Sequence, residues 1–205
     1  MVRQYALLAV LAASITGCST PVFAPAPLEV ALVNLGEVDI DVQIAAERAL
    51  RDNYNVVIEV RDADLPKDAF YEPRSRYRAD KILDFLEDKY QNYDRVVALT
   101  SVDISTTKGV HEDWGVFGLG RRPGKPCVVS TFRLKKEGAE KMLERVNKVV
   151  LHEFGHTVGL PHCEASETCP MQDAEGKVAT VDKSNKTLCK SCLDLAGDVT
   201  KERAS

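Results

Sequence analysis

The order of apolar patterns along the 205 residues predicts an α/β domain on a mostly parallel sheet. Short β-branched runs alternate with stretches of helical periodicity, which is how strand–helix–strand crossovers read. A segment over 137–158 is long enough to be a central helix, and it leads into a window that holds three of the four histidines. With 44% hydrophobic residues the chain can bury one core, and its length suits a single domain. The net charge is −4 and no basic block is present, which argues against nucleic acid as the main partner. No repeat is visible, so a solenoid is not expected.

The elements follow in order. Arg3, the short apolar run 6–13 and the small residues before Cys18 come first. That run is too short to span a bilayer as a mature helix. It resembles a bacterial lipoprotein signal, in which small residues precede an acceptor cysteine. The resemblance implies a signal peptide over 1–17 and acylation of Cys18, and several acyl chains anchor a protein stably where one does not. The expected location is extracytoplasmic and lipid-anchored to a bacterial membrane. Ser19, in place of an aspartate, implies the outer membrane in a two-membrane cell. An ordinary secretory signal with Cys18 incidental is the alternative. Residues 18–28 contain Pro21, Pro25 and Pro27 and read as an extended tether. The folded domain is expected over 29–205.

Within it, 29–34 reads as a strand that ends at Gly36. Val42, Ala45, Ala46, Ala49 and Leu50 share one helical face, so 41–53 is expected to be a helix. The run 56–60 is a strand, and Pro66 and Pro73 make 62–74 a loop. Ala79, Ile82, Leu83 and Leu86 predict a helix over 75–90. A strand at 95–100 precedes two more, 113–120 and 127–134, parted by the turn-rich RRPGKP. The glycine-bearing one is a candidate antiparallel edge. Ala139, Met142, Leu143, Val146, Val150 and Phe154 predict the long helix 137–158. An irregular tail with cysteines follows, with a short last helix near 193–202.

Residues 152–162 read HEFGHTVGLPH. His152 and His156 stand four apart, on one helix face and one turn from each other, which suits two imidazole ligands of one zinc ion. Glu153 beside them is poorly placed to ligate but well placed to take a proton from water activated there. Gly159 tolerates the backbone turn that ends a helix, and Pro161 prevents its continuation. His162 then returns as a third ligand. Three protein ligands leave the fourth position open, as in catalytic zinc sites. A chance HExxH occurs in roughly one chain of this length in two hundred, and requiring Gly159 and His162 lowers that about a thousandfold.

Cys163 follows directly, then Cys169, Met171, Cys189 and Cys192. Here the chain resembles the archaemetzincins, a branch of the metzincin zinc peptidases, whose signature runs HExxHxxGxxHC, a gap of four, Cys-x-Met, seventeen residues and Cys-x-x-Cys. The seventeen-residue interval is 172–188, whereas the first gap, 164–168, has five residues. The likeness extends upstream through TSVDIS, GVFGLG and VVSTFRL, over about 28–200, and the lipoprotein start is not associated with the family. What the resemblance implies is a metzincin (zincin-like) fold with an irregular, cysteine-bound C-terminal part. It also implies zinc on His152, His156 and His162, Glu153 as general base and acid, and Met171 in a supporting Met-turn beneath the metal.

The resemblance further implies a structural zinc on Cys163, Cys169, Cys189 and Cys192, and Cys-x-x-Cys is a spacing that presents two thiolates to one metal. Two disulfides are the alternative, because thiols tend to oxidise outside the cytoplasm. Cys127 reads as a buried strand thiol. His111 reads as a solvated loop residue, and Arg121, Arg122 and Lys125 as a solvated basic turn. Gly115, Gly118 and Gly120 allow close backbone approach, which makes 114–120 a candidate strand for pairing with extended substrate. The expected protein is a monomeric zinc metallopeptidase acting on peptides or proteins, with a membrane as its other partner. The alternative is a non-catalytic zinc- or peptide-binding surface lipoprotein. Glu153 favours the enzyme, because metal binding alone does not need that carboxylate.

Overall fold

The computed structural model describes residues 25–200; the expected signal and Cys18 lie outside them. The main sheet is built from β1 (Leu28–Leu35), β2 (Val56–Ala63), β5 (Arg95–Thr100), β8 (Gly118–Gly120) and β9 (Pro126–Ser130), in the order β2-β1-β5-β9-β8. The first four of that order run parallel and β8 closes the edge antiparallel, as the glycine-rich run led one to expect. Val30 to Val33 and Leu35 of β1 are fully buried, because a central parallel strand is covered on both faces.

Alternation along β1 divides the core in two. Val30 and Leu32 pack with α1 (Ile40–Asn53) and α3 (Ala139–Thr157), while Ala31, Val33 and Leu35 pack with α2 (Ala79–Lys89) on the other face. The Asp39 side chain caps α1 by accepting from the Asp41 amide at 2.9 Å, which satisfies one of the donors a helix start leaves free. Tyr54, just past α1, packs its ring at a tilt against Phe154, centroids 4.5 Å apart, and donates to the Leu151 carbonyl at 3.2 Å. Both contacts fasten the histidine-bearing end of α3 to the core.

A second sheet departs from the sequence reading. Strands β3 (Phe70–Tyr71), β4 (Arg76–Arg78), β6 (Ile104–Lys108) and β7 (His111–Val116) lie in that order. The expected loop 62–74 thus contains the last residues of β2 as well as β3, and the helix expected from 75 begins at Ala79. Arg76–Arg78 is held extended by pairing with β6, through Tyr77 opposite Ile104. The single strand expected over 113–120 is two. Val116 pairs with Ile104 in the second sheet, and Gly118 pairs with Val129 in the first, so the chain changes sheets at Phe117. The strand expected over 127–134 stops at Ser130, where a turn closes with the Leu134 amide on the Thr131 carbonyl at 3.0 Å.

Two short helices follow α3, α4 (Val178–Lys183) and α5 (Lys190–Ala196). The first was not anticipated. The second lies earlier than the expected 193–202 because Gly197, at φ +57°, ends it, and Thr200 then bridges back to Tyr54. Arg145, 0% exposed, holds α4 in place. It donates to both carboxylate oxygens of Asp182 at 2.8 Å, to Glu137 at 2.7 Å, and to the carbonyls of Leu134 and Lys136 at 3.2 and 2.5 Å, so all five guanidinium N–H groups are used. Among the described residues no helix is long and apolar enough to cross a membrane.

Candidate metal centre and cleft

Helix α3 ends as its sequence requires. Gly159 adopts φ +99°, a conformation that L side chains avoid, and a Cβ there would meet nothing within 4 Å. The turn, and not crowding, demands the glycine. The Leu160 amide donates back to the Gly155 carbonyl at 2.9 Å, and the reversed chain brings His162 over the helix. The three imidazoles now face one point. Ring centroids of His152, His156 and His162 lie 4.6 to 5.3 Å apart, and one nitrogen from each lies within 4.8 Å of the others.

The ring nitrogens have distinct jobs. Nδ1 of His152 lies 2.8 Å from the Pro170 carbonyl and Nδ1 of His156 lies 2.8 Å from the Leu160 carbonyl. A carbonyl only accepts, so each Nδ1 carries the proton and each Nε2 presents a lone pair. Burial, helped by the neighbouring His156, pushes His152 down to about 3, and burial lowers His156 as well. Both rings are therefore neutral at pH 7, as metal ligation requires. The Nε2 atoms of His152 and His156 stand 3.0 Å apart, against about 3.3 Å for two nitrogens on a tetrahedral zinc. The donor set fits zinc.

Glu153 lies beneath β8 and is only 7% exposed. Burial pushes its carboxyl up to about 8, and the Gly120 backbone amide pulls the other way. The two glycines of β8 exist for this contact. A Cβ on Gly118 would stand 2.6 Å from Cγ of Glu153, and one on Gly120 would stand 2.5 Å from its backbone oxygen. The sequence reading of close backbone approach is thereby given its partner. Replacing Gly118 by alanine, Gly118→Ala, is expected to displace the carboxylate and lower kcat about 10- to 100-fold with unchanged zinc content. Steady-state kinetics beside metal analysis checks this, and an unchanged kcat would refute the contact's importance.

Among the described residues no strand pairs with the edge of β8 that faces away from β9. Phe117 accepts from the Ser130 amide at 2.8 Å and Arg121 donates to the Pro126 carbonyl at 3.1 Å. With Leu119 opposite Val128, the odd-numbered residues bond inward, and Gly118 and Gly120 turn their backbone groups outward. They border a cleft of about 520 Å³ that is also lined by His152, Glu153 and His156 and by Thr180 and Val181 of α4.

Residues 169–173 tie these parts together. Sδ of Met171 sits where a Cβ on Gly155 would be, 2.4 Å from it, so a helix-interior glycine is required. The Met171 carbonyl accepts from the Cys163 amide at 2.9 Å, and Pro170 supplies the His152 partner named above. Cys163, Cys169, Cys189 and Cys192 converge, with Sγ pairs at 3.6 Å (Cys163–Cys189) and 3.7 Å (Cys169–Cys192) and all four within 4.8 Å. Thiolates on a tetrahedral zinc stand about 3.8 Å apart, whereas a disulfide holds its sulfurs at about 2.05 Å. The longer gap at 164–168 closes as a turn, with the Cys169 amide on the Ser166 carbonyl at 3.2 Å, and leaves the cluster intact.

Other expected roles sort out simply. Cys127 is a fully buried strand thiol pushed well above its usual range, first by burial and then by Glu153. His111 is exposed, with its ring 5.4 Å from Trp114. The basic turn is not merely solvated. Arg121 pairs with Asp84 and Glu87, Lys125 donates to the Gln91 carbonyl at 2.6 Å, and Arg122 lines the cleft. Sequence reasoning passed over Lys148 and Val149 in the cleft wall; their spacing, one turn before His152 and Glu153, was the available signal. It also passed over Asp173, which no local pattern marks.

The model of Peptidase family M54 matches residues 32–196. The archaemetzincin of Halobacterium salinarum is 33% identical over 175 residues, covering 80% of this chain and 97% of that relative. Among solved structures, the archaemetzincin of Methanopyrus kandleri superposes with a TM-score of 0.73 at 32% identity, covering 86% of this chain and 97% of that one. The archaemetzincin of Archaeoglobus fulgidus, crystallised with malonate, gives 0.69 at 27%, covering 82% and 99%.

Proposed function

We propose a division of labour among the cleft residues on the premise that this chain belongs to peptidase family M54, the archaemetzincins, and is a zinc-dependent metallopeptidase. His152, His156 and His162 hold the catalytic zinc, and Glu153 is the general base and acid. The observation that carries this reading is the convergence of three imidazoles beside one buried carboxylate. When bound, zinc supplies a Lewis acid that lowers the pKa of water and polarises a carbonyl oxygen. Glu153 accepts the proton of the attacking water and delivers it to the leaving amine. Its burial makes it a stronger base than a solvated carboxylate. Gly118, through its amide and carbonyl, and Gly120, through its carbonyl, would pair with an extended peptide that adds a strand to the sheet edge, while the Gly120 amide serves Glu153. Met171 supports α3, its thioether filling the space left by Gly155.

Cys163, Cys169, Cys189 and Cys192 hold the structural zinc and keep Met171 and His162 in register. Metal removal tests both sites at once. A strong chelator is expected to stop cleavage of a peptide library and to expose four titratable thiols, and added zinc is expected to reverse both effects. Persistent cleavage without metal would refute the catalytic assignment. Thiols that appear only after reductant would replace the second zinc by disulfides.

We further propose that the protein is tethered to a membrane through Cys18, with residues 18–28 as the spacer. The support is the apolar run, the small residues before Cys18 and the proline-rich stretch after it. The Cys18→Ser variant is expected to lose fatty-acid labelling and leave the membrane fraction. Unchanged labelling and sedimentation would refute the anchor.

A further inference from the structure

Each metal-facing histidine needs its ring fixed, and the fold does this twice with backbone. Pro170 and Leu160 accept from Nδ1 of His152 and His156 at 2.8 Å. Both rings also belong to helix α3. His162 has neither advantage. It lies beyond the helix and is 45% exposed, and the group facing its Nδ1 is a side chain, the carboxylate of Asp173, with Oδ2 at 3.6 Å. The carboxylate is itself held, because its other oxygen, Oδ1, accepts from the Glu175 amide at 2.8 Å. Asp173 is two residues past Met171, so the turn that carries Pro170 to one ligand carries Asp173 to another.

We propose that Asp173 is the positioning residue of His162: it holds the ring with Nε2 turned toward the other two imidazoles and thereby sets the affinity of this site for zinc. The inference rests on the reading that the three histidines are the ligands. A carboxylate on the distal nitrogen fixes the tautomer, fixes the ring plane and raises the basicity of the ligating nitrogen. The pairing of one oxygen with the Glu175 amide restricts the carboxylate to one orientation, so its effect on His162 is directional and not merely a nearby negative charge.

The test is metal affinity, read with cobalt(II) as the probe on the full chain. Thiolate-bound cobalt has a sulfur-to-metal charge-transfer band that imidazole-bound cobalt lacks, so the two sites titrate separately. In Asp173→Asn the amide oxygen still accepts from Glu175, which preserves the turn, but an NH₂ group now faces Nδ1. Its imidazole site is expected to bind cobalt about 10- to 100-fold more weakly, with the thiolate site and Tm unchanged, and Asp173→Ala is expected to lose at least as much. Parent-like affinity in Asp173→Asn would overturn the proposal. So would a loss confined to Asp173→Ala and accompanied by a lower Tm, which would make Asp173 a turn residue only. His162→Ala separates the two readings. If it binds as the parent does, the ligand assignment itself falls; if it binds weakly while Asp173→Asn does not, only the role of Asp173 falls.

Discussion

Glu153→Gln is expected to lower peptide hydrolysis by about 10²- to 10⁴-fold while both metal sites keep their zinc. Glutamine has the same shape, so the packing of this buried side chain against Gly118 and Gly120 survives. What it lacks is the ability to accept a proton from water and return it to the departing amine. The three converging nitrogens belong to other residues, so metal content has no reason to fall. Measurement of kcat beside zinc stoichiometry decides the matter. Turnover equal to the parent would remove Glu153 from the mechanism, and loss of zinc would make it a ligand instead of a base.

Arg145→Leu is expected to destabilise the fold by about 3 kcal/mol, because it removes a fully buried guanidinium that joins Asp182 to two backbone carbonyls, although Asp182 keeps Lys141 at 3.5 Å. For a domain of this size that is a fall in Tm of roughly 10 °C. Asp182, 25% exposed, would lose both of its guanidinium bonds, and the carbonyls of Leu134 and Lys136 would lose theirs. The pH signature is specific. The Arg145 guanidinium is the chief cause holding the Asp182 carboxyl below the usual aspartate range. A carboxyl depressed in the folded state adds stability above the unfolded-state value of about 3.9, and that stability disappears as pH falls through the folded value. The gap between parent and variant should be full at pH 7 and should narrow as the pH falls below about 4. Urea unfolding of both proteins across that range checks it; a gap independent of pH would mean that Arg145 acts through packing alone.

Arg145 also shows where reading the sequence stops. Its partner Asp182 is 37 residues away, and nothing near either residue announces the pair. The same holds for the second sheet. Tyr77 meets Ile104, and Val116 belongs to one sheet while Gly118 belongs to the other, so a continuous apolar and glycine-rich run reads as one strand. The helix was expected from 75, four residues too early, because periodicity sees the apolar face but not the strand that captures Arg76–Arg78.

By itself the sequence determined the α/β order, the long helix and the chemistry of its end. The spacing of His152, Glu153 and His156 is a property of one helical turn, and Gly159 and Pro161 act on the backbone where they stand. It also determined that Met171 and four cysteines follow in the family's order, with the first gap one residue longer and the seventeen-residue interval kept. Only the tertiary structure decided why the glycines are needed: Gly118 and Gly120 because Glu153 packs against their strand, and Gly155 because Met171 fills the place of its side chain. Only there do Pro170, Leu160 and Asp173 become the partners of three imidazoles. The physical reason is range. Helical spacing and turn preference act over a few residues and are written locally, whereas close packing and hydrogen bonding join atoms that the chain brings together only after it has folded.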